Sequence, residues 1–300
     1  MNEDNRTTFS VLIHNKQLLD ALDQAGYEAP TPIQQQMIPF MTQGHDVIGQ
    51  AQTGTGKTAA FSLPLIEKLV LSGKKQPQAL ILTPTRELAL QVADEIQKYA
   101  KLIPELNLAA IFGGQDYAIQ LRQLKKKPQI LVGTPGRTMD HIRKGTISLV
   151  NIKTLILDEA DEMLNMGFID DIEWILEKMP EKIQTALFSA TMPEEINRLT
   201  REVLKDPVRI QINHTKPAPT IGHSLYSVEK ADKTRLLQKL IQQEKMVSSL
   251  VFTRTKHKAK SLALVLQRKG FKAISMQGNL SQQKRQQALE GFRNGSYTIM

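Results

Sequence analysis

The chain has 300 residues, 41% of them hydrophobic, which is enough for roughly two globular domains. It contains no cysteine, which excludes disulfide bonds and thiolate metal sites, and its six histidines show no paired-ligand spacing. The formal net charge of +9 is concentrated in residues 212–300, where 16 basic residues accompany 4 acidic ones. This excess indicates either a polyanionic partner, with nucleic acid first, or a solvated surface.

Membrane insertion and secretion are not expected. The apolar runs, such as LAAIF and TLILD, end long before the ~20 residues that a membrane-spanning helix needs. The first residues, MNEDNRTTF, lack the charged-then-apolar pattern of a signal peptide. We therefore expect a cytoplasmic protein without a membrane partner.

Short apolar runs alternate with longer amphipathic stretches over residues 1–211. This alternation predicts an α/β fold with a doubly wound parallel sheet that helices cover on both faces. The predicted strands are DVIGQ, QALILTPT, LNLAAIFGG, QILVGTP, TLILDEAD and TALFSAT, and the predicted helices include 58–70, 86–99, 117–125 and 169–178. Ligands bind such sheets at the carboxyl ends of the strands, so functional residues are expected there.

Residues 212–224 contain two prolines and lack periodicity, which predicts a linker. The linker would separate a first domain over 1–211 from a second α/β unit over 225–300. In the second unit, SLVFTRTK and FKAISMQG are predicted strands and KAKSLALVLQRKG is a predicted helix. The final YTIM resembles part of a further strand, so we expect the second unit to be incomplete.

The segment AQTGTGKT resembles a phosphate-binding loop, except that Ala51 stands where the usual pattern has a glycine. Gly54 and Gly56 allow backbone amides to turn toward phosphates, Lys57 can reach the β- and γ-phosphates, and the Thr58 hydroxyl can hold Mg²⁺. A chance glycine-rich turn is the alternative. The candidate nucleotide-binding residues are Ala51, Gln52, Thr53, Gly54, Thr55, Gly56, Lys57 and Thr58.

The segment TLILDEAD places carboxylates at the end of a predicted strand. We expect Asp158 to hold Mg²⁺ from the side opposite Thr58, and Glu159 to orient or deprotonate a water that attacks the γ-phosphate. Together with Lys57 they are the candidate catalytic residues. The alternatives are an acidic helix start, and a nucleotide kinase, although adjacent carboxylates favour water as the nucleophile.

The order of these motifs over residues 9 to 296 resembles that of the DEAD-box RNA helicases, and DEAD itself occurs at 158–161. That family's loop also begins with alanine, as in AQTGTGKT. GYEAPTPIQ resembles the family's adenine motif, which implies that Gln34 reads the base edge and that Phe9 stacks on the base. The resemblance implies tandem RecA-like domains, ATP and Mg²⁺ as cofactors, and RNA as the partner.

Further segments resemble the family's RNA-backbone motifs, namely PTRELA, GG at 113–114, TPGR, LVFTRTK and SQQKR. The RNA-binding residues that they imply are Pro84, Thr85, Arg86, Gly113, Gly114, Thr134, Pro135, Gly136, Arg137, Thr253, Arg254, Gln282 and Arg285. SAT resembles the motif that couples hydrolysis to strand separation, which implies coupling residues Ser189, Ala190 and Thr191. Each segment alone has a plainer explanation: a surface ion pair for Arg86, a turn for TPGR, and a helix N-cap for SAT.

The activity that the resemblance implies is ATP-dependent remodelling of RNA duplexes through contacts that depend little on sequence. DEADEMLNMGF and QTALFSATMP resemble the bacterial cold-shock branch, which implies ribosomal or RNA-degradation assemblies as partners. The family pattern continues with a T-D and A-R-G motif and an arginine-rich motif, neither of which occurs in these 300 residues.

An arginine finger can raise the rate ~10³–10⁵-fold. We therefore expect a C-terminally truncated chain that binds nucleotide but hydrolyses and unwinds poorly. A non-enzymatic module that binds ATP or RNA is one alternative, and a DNA-directed motor is another.

Overall fold

The computed structural model describes residues 7–69, 71, 76–212 and 222–300. The chain divides into two compact units, Met1–Pro217 and Ala218–Met300. Most of the predicted linker, residues 213–221, lies outside the described residues, as does position 70 of the predicted helix 58–70.

The first unit contains a seven-stranded parallel sheet in the order β3-β4-β2-β5-β6-β1-β7. The strands are β1 Val47–Gln50, β2 Ala79–Leu82, β3 Leu108–Ile111, β4 Ile130–Gly133, β5 Thr154–Leu157, β6 Gln184–Ser189 and β7 Val208–Gln211. The helices are α1 Phe9–Leu12, α2 Lys16–Gln24, α3 Pro32–Gln43, α4 Lys57–Lys68, α5 Arg86–Tyr99, α6 Tyr117–Lys125, α7 Pro135–Arg143, α8 Ala160–Asn165, α9 Ile169–Leu176 and α10 Glu194–Val203.

Two apolar cores lie on opposite faces of this sheet. Strand β2 shows why the strands are apolar throughout: Ala79 and Ile81 belong to one core, and Leu80 and Leu82 belong to the other. Since successive side chains of a strand point to opposite faces, a sheet covered on both sides needs apolar residues at every position. The predicted α/β architecture is confirmed.

The register brings the ends of neighbouring strands level. Leu82 of β2 pairs with Gly133 of β4 and Leu157 of β5, and Gln50 of β1 pairs with Ser189 of β6. The loops that follow these strands therefore lie along one edge of the sheet. This edge carries the candidate site.

The second unit contains α11 Lys233–Gln243, α12 Lys256–Arg268 and α13 Gln282–Arg293. Its small apolar core includes Ile241, Leu266 and Ile299. The two predicted strands form only isolated parallel bridges, because Ser249 and Ala273 both pair with Ile299 and the ladders extend no further in the described residues. Among the described residues of both units, no helix has the length and apolar character needed to cross a bilayer.

Candidate functional site

Six loops at the carboxyl edge of the sheet contain the residues that the sequence singles out. The strand order divides them into two sets, each of which follows three adjacent strands. The first set follows β5, β6 and β1 and comprises 158–161, 189–191 and 51–58. The second set follows β3, β4 and β2 and comprises 113–114, 134–137 and 84–86. The sheet thus separates the candidate nucleotide residues from the candidate RNA residues of this unit.

The loop 51–58 joins β1 to α4 in left-handed turns. Gly54 and Gly56 have φ values of 82° and 92°, which L-residues with a side chain rarely adopt. Lys57 is buried and its Nζ donates to the Ala51 carbonyl at 2.9 Å. The Ala51 methyl lies in the first apolar core and is 3% exposed, so a side chain is accommodated at this position.

Gln34 connects the start of α3 to this loop. Its Oε1 accepts from the Thr31 N–H at 2.9 Å, and its Nε2 donates to the Gly56 carbonyl at 3.1 Å. A Cβ at Gly56 would collide with the Gln34 amide. The loop therefore requires glycine here for its backbone angle and also for the space that Gln34 occupies.

Tyr27 is the aromatic residue at the Gln34 side of the pocket. Phe9 is 5% exposed and packs edge-on against Tyr27, with ring centroids 6.3 Å apart. Tyr27 lines the pocket together with Gln34 and Lys57. Phe9 does not line the pocket itself but packs against the Tyr27 ring, which does.

Asp158 follows β5 and reaches the same pocket as Lys57 and Thr58. Its side chain is 3% exposed, and its Oδ1 has no hydrogen-bond partner among the described residues. Burial raises the pKa of the Asp158 carboxyl to about 7, although Lys57 opposes the shift. A buried carboxylate oxygen without a partner is costly, so this group is suited to a ligand.

Glu159 is the next residue and also lines the pocket. Its φ of 55° is left-handed, a conformation that costs an L-residue roughly 1–2 kcal/mol. Burial raises the pKa of the Glu159 carboxyl, and Lys57 again opposes the shift. Strained backbone and a raised carboxyl pKa are both frequent at functional sites.

These oxygen donors fit Mg²⁺, which prefers carboxylate and hydroxyl ligands and retains several waters. The orphaned Oδ1 of Asp158 and the Thr58 hydroxyl supply such donors at one pocket. In the described part of the chain, no group of three or more His, Cys, Asp or Glu could hold a metal by itself. An ion bound here would therefore take its remaining ligands from phosphate oxygens and water.

The segment 189–191 is bound to the acidic segment by hydrogen bonds. The Asp161 carboxylate accepts from both the N–H and the hydroxyl of Thr191 at 2.8 Å, and Ser189 Oγ donates to the Thr191 carbonyl at 2.6 Å. Although burial opposes the shift, these bonds hold the pKa of Asp161 below its usual value. Ala190 is exposed. The plainer reading of SAT is confirmed in part: Ser189 ends β6 and its Oγ accepts from the Asp161 N–H in the first turn of α8 at 3.3 Å, whereas the N-cap residue of α10 is Pro193.

In the second set, two arginines flank the loop 113–115. Arg86, which begins α5, packs so tightly on Gly113 and Gly114 that a Cβ at Gly114 would collide with its guanidinium. Arg137 of α7 donates from Nη1 to the Gln115 carbonyl at 3.3 Å. Two basic side chains from neighbouring strands thus lie against one glycine-rich loop.

The other candidates in this set form the local backbone. Thr85 caps α5 by accepting from Leu88 N–H at 3.2 Å, and Pro84 is buried. Thr134 is the N-cap residue of α7 and Pro135 is its first residue. Gly136 has room for a Cβ, which would lie 3.6 Å from Asp171.

The remaining candidates belong to the second unit. Thr253 Oγ1 donates to the Thr255 carbonyl at 3.1 Å, and Arg254 beside it is exposed. Gln282 and Arg285 lie one turn apart on α13, with Arg285 Nη1 3.5 Å from Gln282 Oε1.

Two family models match the chain. The DEAD/DEAH box helicase model matches residues 31–199, which is more than half of the chain, and the helicase conserved C-terminal domain model matches residues 232–300. The chain belongs to the DEAD/DEAH box helicase family. The RecA-like character of its fold follows from this membership and from the parallel sheet.

Curated relatives of this DEAD-box chain include bacterial helicases. It is 45% identical over 297 residues to the ATP-dependent RNA helicase DeaD of Haemophilus influenzae and 46% identical over 296 residues to that of Escherichia coli K12. The alignments cover 98% of this chain and 48% and 47% of those relatives. The chain therefore spans about half the length of the curated relatives that it matches.

Solved structures resemble the DEAD-box chain as well. A DEAD box protein from Methanococcus jannaschii is 42% identical with a TM-score of 0.63, covering 95% of this chain and 77% of that one. Saccharomyces cerevisiae Dbp5 L327V bound to RNA and ADP BeF3 is 28% identical with a TM-score of 0.85, covering 97% and 74%.

Several residues of the DEAD-box site were not singled out from the sequence. Asp161 lies in the DEAD segment and Tyr27 lies in GYEAPTPIQ, and membership in these motifs is the only feature of the sequence that points to them. The pocket is also lined by Leu88, Gln91, Glu95 and Tyr99 of α5. These four recur every three or four residues, which places them on one helix face, but the sequence does not show that this face borders the loop 51–58.

Proposed function

We propose that the chain is the core of an ATP-dependent RNA helicase, in which RNA-stimulated ATP hydrolysis drives local unwinding of RNA duplexes. The observation that carries this proposal is the buried Asp158 carboxylate, whose Oδ1 lacks a partner among the described residues while Lys57 and Thr58 line the same pocket. Family membership and the resemblance to proteins named ATP-dependent RNA helicases support the choice of substrates.

The loop 51–58 would bind the phosphates of ATP. Its backbone amides lie at the N-terminus of α4, where unpaired N–H groups and the helix dipole favour anions. Lys57 would exchange its bond with the Ala51 carbonyl for the β- and γ-phosphates. We assign the base to the side of the pocket formed by Gln34 and Tyr27, with Phe9 packed against Tyr27.

Hydrolysis would depend on the two carboxylates after β5. Asp158 and Thr58 would hold Mg²⁺, in part through water, and the ion would supply positive charge against the phosphate oxygens. Glu159 would orient the attacking water and accept its proton, a role to which a carboxyl with a raised pKa is suited. The hydrogen bonds between Asp161 and Thr191 would transmit the change from bound ATP to bound ADP to the segment 189–191.

RNA would bind to the second set of loops and to the four candidates of the second unit. The guanidinium groups of Arg86 and Arg137 would supply positive charge to the RNA phosphates, and the loop 113–115 beside them would supply backbone amides. The excess of basic residues in 212–300 adds affinity that does not depend on sequence. We propose a cytoplasmic location from the sequence pattern, and a role in cold shock with ribosomal or RNA-degradation assemblies from the resemblance to DeaD.

A second candidate function is a module that binds ATP and RNA without turnover. This alternative keeps the same pocket, lined by Lys57, Thr58 and Asp158, for nucleotide binding but assigns no hydrolysis to it. Steady-state ATP hydrolysis with and without RNA separates the two candidates. RNA-stimulated turnover by the 300-residue chain supports the helicase, and binding without turnover supports the module.

The assigned role of Glu159 is tested by Glu159→Gln in single-turnover ATP hydrolysis. Loss of a general base is expected to slow hydrolysis about 10²–10⁴-fold while the affinity for ATP is retained. Glu162→Gln is the matched control, because Glu162 is an exposed glutamate on α8 that does not line the pocket. Hydrolysis by Glu159→Gln at the rate of the control would overturn the assignment.

A further inference from the structure

A row of hydrogen-bonded polar side chains, of which His141 and Gln120 are buried, runs behind the second set of loops. Its central member is His141 on α7, one turn after Arg137, and its side chain is fully buried. The ring stacks on Tyr117 with centroids 4.3 Å apart and planes 8° apart. His141 Nδ1 is 2.8 Å from Thr146 Oγ1, and Nε2 is 3.3 Å from Gln120 Oε1. None of these contacts belongs to the nucleotide pocket.

The far end of this row reaches the glycine-rich loop. Gln120 is fully buried, and its Nε2 donates to the carbonyls of Phe112 at 3.0 Å and Gln115 at 3.4 Å. The Gln115 carbonyl is also the acceptor for Arg137. Gln120 and Arg137 therefore converge on one carbonyl oxygen at the end of the loop that contains Gly113 and Gly114.

The hydrogen bonds fix the proton on the imidazole. Both partners of Gln120 Nε2 are carbonyls, so this atom must be the amide nitrogen, and Oε1 is left to face His141 as an acceptor. His141 Nε2 must then carry a proton. Burial, with Arg137 and Lys144 nearby, lowers the pKa of His141 to about 4, although Asp140 opposes the shift, so the ring is neutral at pH 7.

A neutral ring with its proton on Nε2 leaves Nδ1 as an acceptor for the Thr146 hydroxyl. The Thr146 hydroxyl can also donate to the His141 carbonyl at 3.0 Å, and that carbonyl accepts from the Thr146 N–H as well. The Tyr117 hydroxyl, 3.2 Å away, can donate to Thr146 Oγ1. With the Thr146 hydroxyl on Nδ1, each side chain donates to the next one: Tyr117 to Thr146, Thr146 to His141, and His141 to Gln120. Gln120 in turn donates to the loop carbonyls.

We infer that His141 is a positioning residue for RNA binding: its Nε2–H holds Gln120, and Gln120 holds the loop 112–115 against which Arg137 is oriented. The inference rests on the proposed function, because it assumes that this loop and Arg137 contact RNA. His141 itself does not touch RNA, since its side chain is buried. Without the Nε2–H, the Gln120 oxygen is left unpaired in the interior, and the loop loses its anchor.

Two substitutions that differ by one methylene test this inference in the 300-residue chain. The Nε2 of His141→Gln can occupy the place of the imidazole Nε2 and donate to Gln120, whereas the amide of His141→Asn reaches only the position of Nδ1. We expect His141→Asn to weaken binding of a fluorescein-labelled oligouridine about 10-fold. We expect His141→Gln to bind it within about 2-fold of the wild type, and both variants to keep the wild-type affinity for ATP. Fluorescence anisotropy measures the first affinity and calorimetry the second.

Hydrogen exchange provides a readout that does not depend on RNA. In His141→Asn, and not in His141→Gln, peptides from residues 112–124 should exchange faster while those from residues 51–68 keep their protection. Equal RNA affinity and equal exchange in both variants would overturn the inference, as would a parallel loss of ATP and RNA affinity. A wild-type chain that binds ATP but no RNA would overturn the proposed function. The exchange data would then still decide whether His141 holds the loop.

Discussion

At the scale of single residues, two glycines of the loop 51–58 make a matched pair. Gly54 and Gly56 both have positive φ, but a Cβ at Gly54 would meet nothing within 4 Å, whereas one at Gly56 would meet the Gln34 amide. We expect Gly56→Ala to lower the free energy of unfolding by about 1–3 kcal/mol more than Gly54→Ala. Urea denaturation measures both, and equal losses would show that Gln34 does not pack on the loop.

His141 gives a second prediction at this scale. Its folded pKa of about 4 lies below the ordinary 6.5. Between pH 6.5 and pH 4, His141 is protonated in the unfolded chain but not in the folded chain. The free energy of unfolding therefore decreases by about 1.4 kcal/mol for each unit that the pH falls in this range. Above pH 6.5 and below pH 4 this group contributes no pH dependence.

Between pH 7 and pH 5, the free energy of unfolding of the wild type should therefore fall by about 2 kcal/mol more than that of His141→Gln. Urea midpoints at the two pH values provide the measurement. The same pH dependence in both proteins would contradict a buried neutral imidazole.

At the scale of elements, local signals predicted the helices well. Helices 86–99 and 117–125 begin and end as predicted, and their starts are marked by Thr85 and Asp116, which cap them by accepting from backbone N–H groups. The predicted helix 169–178 ends at Leu176 instead, and the predicted helix 58–70 begins at Lys57 and ends at Lys68. The C-cap residues of these two helices, Leu69 and Glu177, are residue types that also occur inside helices, so composition does not mark where the helices end.

Strand order and most contacts at the site could not be predicted from the sequence. Strand β1 lies between β6 and β7, which come more than 130 positions later in the chain. Gln34 bonds to Gly56 across 22 positions, and Gln120 bonds to His141 across 21. Periodicity and caps report only on near neighbours, so these pairings depend on the folded arrangement. The sequence motifs located the loop 51–58 and Asp158, but they did not reveal the hydrogen-bonded side chains behind the loop 113–115.

The connection between α8 and the end of β6 makes a third prediction. Thr191→Val removes the hydroxyl donor to Asp161 while the backbone donor remains. If this connection transmits the nucleotide state, the variant should bind ATP normally but lose most of the increase in RNA affinity that a non-hydrolysable ATP analogue produces. Anisotropy titrations with and without the analogue measure this increase. An unchanged increase in Thr191→Val would contradict the coupling role.

At the scale of the whole molecule, charge predicts how RNA binding responds to salt. The basic excess of 212–300 and the arginines of the first unit imply several phosphate contacts, so the affinity should fall linearly with the logarithm of salt concentration. Arg137→Ala should reduce the slope by about 1 and weaken all RNA sequences alike. A slope unchanged by Arg137→Ala would remove this residue from the interface. Preference for DNA of equal length would favour the DNA-directed motor.

The central claim is that the pocket between the loop after β1 and the carboxylates after β5 binds ATP with Mg²⁺. Calorimetric titration of ATP into the 300-residue chain, with Mg²⁺ and then with EDTA, tests it most directly. We predict saturable one-site binding of ATP that requires Mg²⁺. Lys57→Ala should lower the affinity for ATP at least ~100-fold. The control Lys125→Ala, which changes an exposed lysine on α6, should keep the wild-type affinity for ATP. Wild-type affinity in Lys57→Ala, or no binding by the wild-type chain, would contradict the account.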